Sequence, residues 1–167
     1  VTVTISGAND APTISSSAVT AATEDVAYTY TVTAADADSG DTITLTGTTV
    51  PSWATFTAST GVLAGTPLNA NVGDNSVVIT ASDGTASATD TFTIVVANAN
   101  DAPTITSTAV TAATEDTAYT YTVTAADVDS GDTITLTGTT VPSWATFTAG
   151  TGVLTGTPLN ANVGANS

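Results

Sequence analysis

The chain has 167 residues, of which 15 are Asp or Glu and none is Lys, Arg or His, giving a formal net charge of -15. With no basic patch, nucleic acid is excluded as an electrostatic partner and anionic membrane surfaces are disfavoured. The absence of Cys and His excludes disulfides, thiol chemistry, zinc sites and histidine-based catalysis, and the absence of Lys excludes serine–lysine catalysis and lysine isopeptide cross-links. Carboxylates without counter-charge repel one another and weaken the compact state. Calcium is the expected relief, because it prefers oxygen ligands and takes several carboxylates. A hydrophobic content of 41% is enough for a core. Thr and Val favour strands, and strong helix formers are scarce. The chain begins at Val1 without Met or a signal stretch, so it is expected to be an internal piece of a longer protein.

In chain order, residues 1–10 (VTVTISGAND) align with residues 92–101 (FTIVVANAND) and are expected to be the tail strand of a preceding repeat. In residues 26–34, Val26, Tyr28, Tyr30, Val32 and Ala34 alternate with Thr or small residues, so one apolar face should point inward. Ile43 and Leu45 repeat the pattern in DTITLTG. SVVITAS and TFTIVVA supply two more strands, the second with Phe92, Ile94 and Val96 on one face. Turn signals separate these runs: Ser39-Gly40-Asp41, Val50-Pro51-Ser52, Thr60-Gly61, Gly65-Thr66-Pro67 and Ser82-Asp83-Gly84. Short strands at this spacing, with no helical stripe, predict an all-β fold of tandem β-sandwiches. Trp53, Phe56, Leu63, Tyr28 and Phe92 are expected in the core, since few other large residues could fill it.

The pattern then repeats. Pro12 and Pro103, Trp53 and Trp144, and Asp10 and Asp101 are each 91 residues apart. Residues 11–76 match residues 102–167 with seven substitutions, at 15/106, 17/108, 26/117, 37/128, 59/150, 64/155 and 74/165. Residues 11–101 therefore read as one complete repeat. Residues 102–167 read as a second, incomplete repeat, lacking counterparts of the last two strands.

Three segments carry a family resemblance. TEDTAYTYTVTAADVDSGD resembles the cadherin stretch of an early Glu, a strand and AxDxDxG. ITASDG followed by FTIVVANANDAPTI resembles the cadherin closing strands and the linker DxNDNxPxF. PSWATFTASTGVLAGTP is similar to the middle of the putative-immunoglobulin repeat. Together, over the whole chain, they resemble the dystroglycan-type cadherin-like and putative-immunoglobulin tandem repeats of bacterial surface proteins, in the cadherin superfamily. The resemblance implies tandem cadherin-like, immunoglobulin-like sandwiches that hold calcium where successive repeats meet.

At the complete junction, the ligands it implies are Glu24 and Asp83 from the upstream repeat, Asn98, Asn100 and Asp101 from the linker, and Asp127 and Asp129 downstream. Strand alternation is expected to put Asp127 and Asp129 on one side. Asp132 either joins them or solvates the turn. The earlier junction would use Asn9, Asp10, Asp36 and Asp38. The linker departs from the family pattern at Asn98 and Gly7, and PLNAN replaces the mid-domain LDRE motif, so one or two ions per junction are expected rather than three. DADSGD is not an EF-hand loop, because its Gly falls one place early and position twelve is Gly47.

The expected function is a non-enzymatic, calcium-stiffened rod or stalk segment of a large adhesin or surface-fibre protein, secreted or on the cell surface, with neighbouring repeats as its partners. The alternatives are a self-assembling fibre of identical chains, with O-linked glycans permitted on its Thr and Ser residues and strands passing between subunits, and a carbohydrate-binding module with exposed aromatics.

Overall fold

The computed structural model describes residues 1–4 and 7–166. It divides into two compact units, Val1–Ala99 and Asn100–Ser167. In the first unit the strands are β1 (Thr13–Ile14), β2 (Ala21–Thr23), β3 (Tyr28–Thr31), β4 (Ala34–Ala35), β5 (Thr44–Thr49), β6 (Ala54–Thr57), β7 (Val62–Gly65), β8 (Gly73–Ser82) and β9 (Ser87–Ala97). They form a four-stranded sheet in the order β2-β9-β8-β5, a three-stranded sheet β3-β7-β6 and a short β1-β4 pair. β2 runs parallel to β9, while every other pairing is antiparallel. One 3-10 turn, Asn69–Asn71, precedes β8.

Period-two alternation builds the core. In β8 the inward residues Val77, Ile79 and Ala81 are fully buried, and in β9 Ile94 and Val96 follow suit. Tyr28, Tyr30, Val32 and Leu63 face them from the other sheet side. The sandwich predicted from the sequence is therefore present. Trp53, Phe56 and Phe92 pack at the edge of this cluster. Trp53 meets Tyr28 edge-on at 5.6 Å between ring centroids and donates its indole N–H to Asn75 Oδ1 at 2.9 Å. A ring held in this way serves packing rather than a sugar platform.

Val26 departs from the expected alternation. It is 56% exposed, because β3 begins only at Tyr28, after a turn in which Asp25 adopts a left-handed φ of 58°. That turn is fixed by Asp25 N–H donating to the Pro67 carbonyl at 2.8 Å. Residues 1–4 form no strand, and Ile5 and Ser6 of the expected tail strand lie outside the described residues.

The second unit repeats the smaller elements: β10 (Thr104–Ile105), β11 (Tyr119–Thr122), β12 (Ala125–Ala126), β13 (Ala145–Thr148) and β14 (Val153–Gly156). β10 pairs with β12, and β11-β14-β13 form the three-stranded sheet with the register of β3-β7-β6. Residues 112–114 and 135–140, the counterparts of β2 and β5, are not strands. In the first unit those strands pair with β9 and β8.

Candidate metal centre

One end of the first unit gathers Asn9, Asp10, Asp36, Asp38, Asp41 and Asp83. β4 stops at Ala35 and the chain turns at once, so Asp38 N–H donates to Asp36 Oδ1 at 2.9 Å. Gly40, at φ 107°, lets the turn close and brings Asp41 back. One oxygen each from Asp36, Asp38 and Asp41 then lies within 4.8 Å of the others. Asp10 N–H donates to Asp38 Oδ2 at 2.6 Å, and Asn9 Nδ2 donates to Asp83 Oδ2 at 3.0 Å. Asp36 Oδ2 is buried and accepts no hydrogen bond.

The electrostatics follow the geometry. Asp41 is held above the ordinary carboxylate pKa, by desolvation first and then by the charges of Asp36, Asp38 and Asp83. Asp83 is held below it, mainly by the Ala86 N–H, then by the Asn9 side chain and the Thr85 N–H. Asp83 Oδ1 accepts both backbone N–H groups at 2.6 Å, across the tight turn of the β8–β9 hairpin.

The second unit carries the same turn. Asp129 N–H donates to Asp127 Oδ1 at 3.0 Å, Asp101 N–H donates to Asp129 Oδ2 at 2.6 Å, and one oxygen each from Asp127, Asp129 and Asp132 lies within 4.8 Å of the others. Asn100 Nδ2 donates to the Asp101 carbonyl at 2.6 Å. At the other end of the first unit, Glu24 is 1% exposed, immediately after β2. Its Oε1 accepts Ala99 N–H at 2.7 Å, and its Oε2 is buried with no hydrogen-bond partner. Asn98 precedes Ala99 in the chain and is exposed.

Two expectations need correction. Asp127 and Asp129 do converge, but β12 ends at Ala126, so they do so through a side-chain-capped turn and not through strand alternation. Asp83 does not sit near Asn98. β8 and β9 pair from Gly73↔Val96 to Ser82↔Ser87, which puts Asp83 about 30 Å of strand away from Asn98 and beside Asn9. Asp41 was not among the expected ligands, yet it completes the cluster with Asp36 and Asp38. The repeated D-x-D-S-G-D motif, in which Asp132 already stood out, was the available signal.

The residues present fit calcium. They offer only oxygen, they crowd carboxylates with no internal cation, and they leave buried carboxylate oxygens at Asp36 and Glu24 without a donor.

Fold and acidic turns together define a tandem immunoglobulin-like sandwich repeat with carboxylate-lined ends. The Putative Ig domain family matches residues 11–97 and 102–167, and the chain belongs to that family. No curated protein matches the chain. Among solved structures, an endo-fucoidan hydrolase of glycoside hydrolase family 107 is similar at 29% identity with a TM-score of 0.46, over 93% of this chain and 25% of that one. The chain thus spans about a quarter of that enzyme. Human protocadherin-24 EC1-2 is similar at 18% identity with a TM-score of 0.49, over 95% and 82% of the two chains. The protocadherin gammaB4 extracellular domain is similar at 20% identity with a TM-score of 0.48, over 93% and 30%.

Proposed function

We propose that the chain is a non-enzymatic structural segment of a secreted or cell-surface repeat protein of adhesive type, whose repeat ends bind calcium. The observation that carries this reading is the pair of buried, donorless carboxylate oxygens, Asp36 Oδ2 in the turn with Asp38 and Asp41, and Glu24 Oε2 on the side chain that accepts Ala99 N–H. Asn9, Asp10, Asp36, Asp38, Asp41 and Asp83 would hold an ion at the start of the first repeat. Glu24, Asn98 and Asn100 would share one with Asp101, Asp127, Asp129 and Asp132 at the start of the second. Bound calcium would supply the positive charge that the chain lacks. The protein's own contribution is the turn: backbone N–H groups pin Asp36, Asp38, Asp127 and Asp129 so that little ordering entropy remains to be lost on binding. An ion shared by successive repeats would restrict the hinge between them and stiffen a rod or stalk. Small-angle scattering in calcium and in EDTA tests this. The expected result is a narrower distribution of dimensions with calcium, and identical profiles would overturn the reading.

A further inference from the structure

β9 is 11 residues long, yet along its edge away from β8 it is paired by β2 only from Val95 to Ala97. On that edge Val95 N–H donates to the Thr20 carbonyl at 2.9 Å, and backbone direction alternates along a strand. The N–H and C=O groups of Thr89, Thr91 and Thr93 therefore point the same way, beyond the reach of β2, and no strand among the described residues pairs with them. An edge of this kind is a template for a further strand. Asp90 stands in the middle of it. Alternation puts Asp90 on the inner face with the buried Ile94 and Val96, opposite the buried Ile79 of β8. It is half-buried at a groove of about 510 Å³ shared with Pro12, Ile14, Ser16, Ala18 and Ala88. No described residue donates a hydrogen bond to its carboxylate.

We propose that the edge of β9 from Thr89 to Thr93 is a docking site for an extended strand of another protein, one that carries Lys or Arg next to Asp90. Two observations select that occupant. The open backbone groups ask for a strand of any sequence, and the inner-face carboxylate then selects by charge. Two copies of β9 laid edge to edge would bring their Asp90 carboxylates opposite or diagonal to one another, which is destabilising. The sequence holds no Lys, Arg or His, so no copy of it can supply the missing cation. A basic side chain of the incoming strand would lay its aliphatic stem along Pro12, Ile14 and Ala88 and set its charge on Asp90. The same carboxylate thus rejects identical repeats and admits a complementary strand.

The test uses the 167-residue chain, ¹⁵N-labelled, in EDTA, so that its outcome does not depend on calcium at the acidic turns. Amide hydrogen exchange is followed by NMR during titration with a capped heptapeptide that alternates Thr and Val and has Lys at its centre, in the Val series. The same peptide with Glu in place of Lys is the control. The expected result is saturable slowing of exchange at Thr89, Thr91 and Thr93 with the Lys peptide, and none with the Glu peptide at the same concentrations. Asp90→Asn should weaken the Lys peptide about ten-fold, through loss of one charge-assisted contact. Asp74→Asn removes an equal charge from the exposed outer face of β8 and should change the affinity less than about two-fold. Unchanged exchange at Ile79 and Ile94 in the Asp90→Asn chain checks that the sandwich stays folded. Unslowed exchange with the Lys peptide, equal protection by both peptides, or an Asp90→Asn chain that binds as tightly as the unmodified one would overturn the proposal. Dimers of the unmodified chain that protect the same three amides would overturn it too.

Discussion

Replacing Glu24 by Gln should have opposite effects with and without calcium. In the metal-free chain Glu24 Oε1 accepts the Ala99 N–H, but Oε2 is buried with no donor. An unmet buried polar group costs about 1–3 kcal/mol, and a charged one costs more. The amide keeps the first bond and replaces the uncompensated charge by a neutral NH2 group, so the gain is only the difference between an unmet charged group and an unmet neutral one. Metal-free E24Q should therefore be more stable by about 1 kcal/mol, or about 4–8 °C in Tm for a domain of this size. In calcium the order should invert. Extracellular calcium modules have a Kd of about 10⁻⁴–10⁻³ M, so about 10 mM calcium stabilises the wild type by about 1.4–2.7 kcal/mol. E24Q loses a charged ligand and most of that gain. The assay is calorimetric unfolding of both proteins in EDTA and in calcium. Equal destabilisation by E24Q in both buffers would refute the reasoning and make Glu24 a purely structural acceptor.

Leu63 is fully buried between the sheets, so Leu63→Ala should cost about 2–5 kcal/mol by urea unfolding, with the m-value unchanged. Gly65→Ala should be at least as harmful as an ordinary cavity mutation, because its Cβ would collide with the Trp53 carbonyl oxygen, just before the neighbouring strand β6; the same denaturation assay reads it. Asp83 has its folded pKa lowered, so its contribution is present above the unfolded carboxylate pKa and is lost as pH falls through the folded one. Asp41 has its folded pKa raised, so its ionised form opposes folding, and that penalty is relieved as pH falls through the raised value. Carboxyl-carbon NMR titration in EDTA should therefore show Asp41 protonating before Asp83 on acidification.

Local periodicity made much of the sandwich legible. The alternations in residues 28–32 and 92–96 are short-range facts that translate directly into buried Tyr28, Tyr30, Val32, Ile94 and Val96. The tight β8–β9 hairpin was announced by Ser82-Asp83-Gly84. Periodicity could not show where a strand begins, and so Val26 was placed inside although the Asp25 turn leaves it in solvent. The parallel pairing of β2 with β9 joins residues more than 70 positions apart, and no local signal carries it. The acidic residues were legible as types and spacings, because the D-x-D-S-G-D turn is repeated. Which end of the repeat Asp83 serves was not legible, since that follows from the length and register of β8 and β9. Asp41 was missed for a related reason: its approach to Asp36 depends on the left-handed φ at Gly40, which a glycine permits without requiring.

The most direct measurement is a calorimetric titration of the unmodified chain with calcium after exhaustive chelation. Saturable binding of one or two ions per repeat end, weakened by Asp38→Asn and Asp129→Asn at their respective ends, is the result expected if these turns are cation sites. A flat titration through the millimolar range, or binding that ignores both substitutions, would contradict the account.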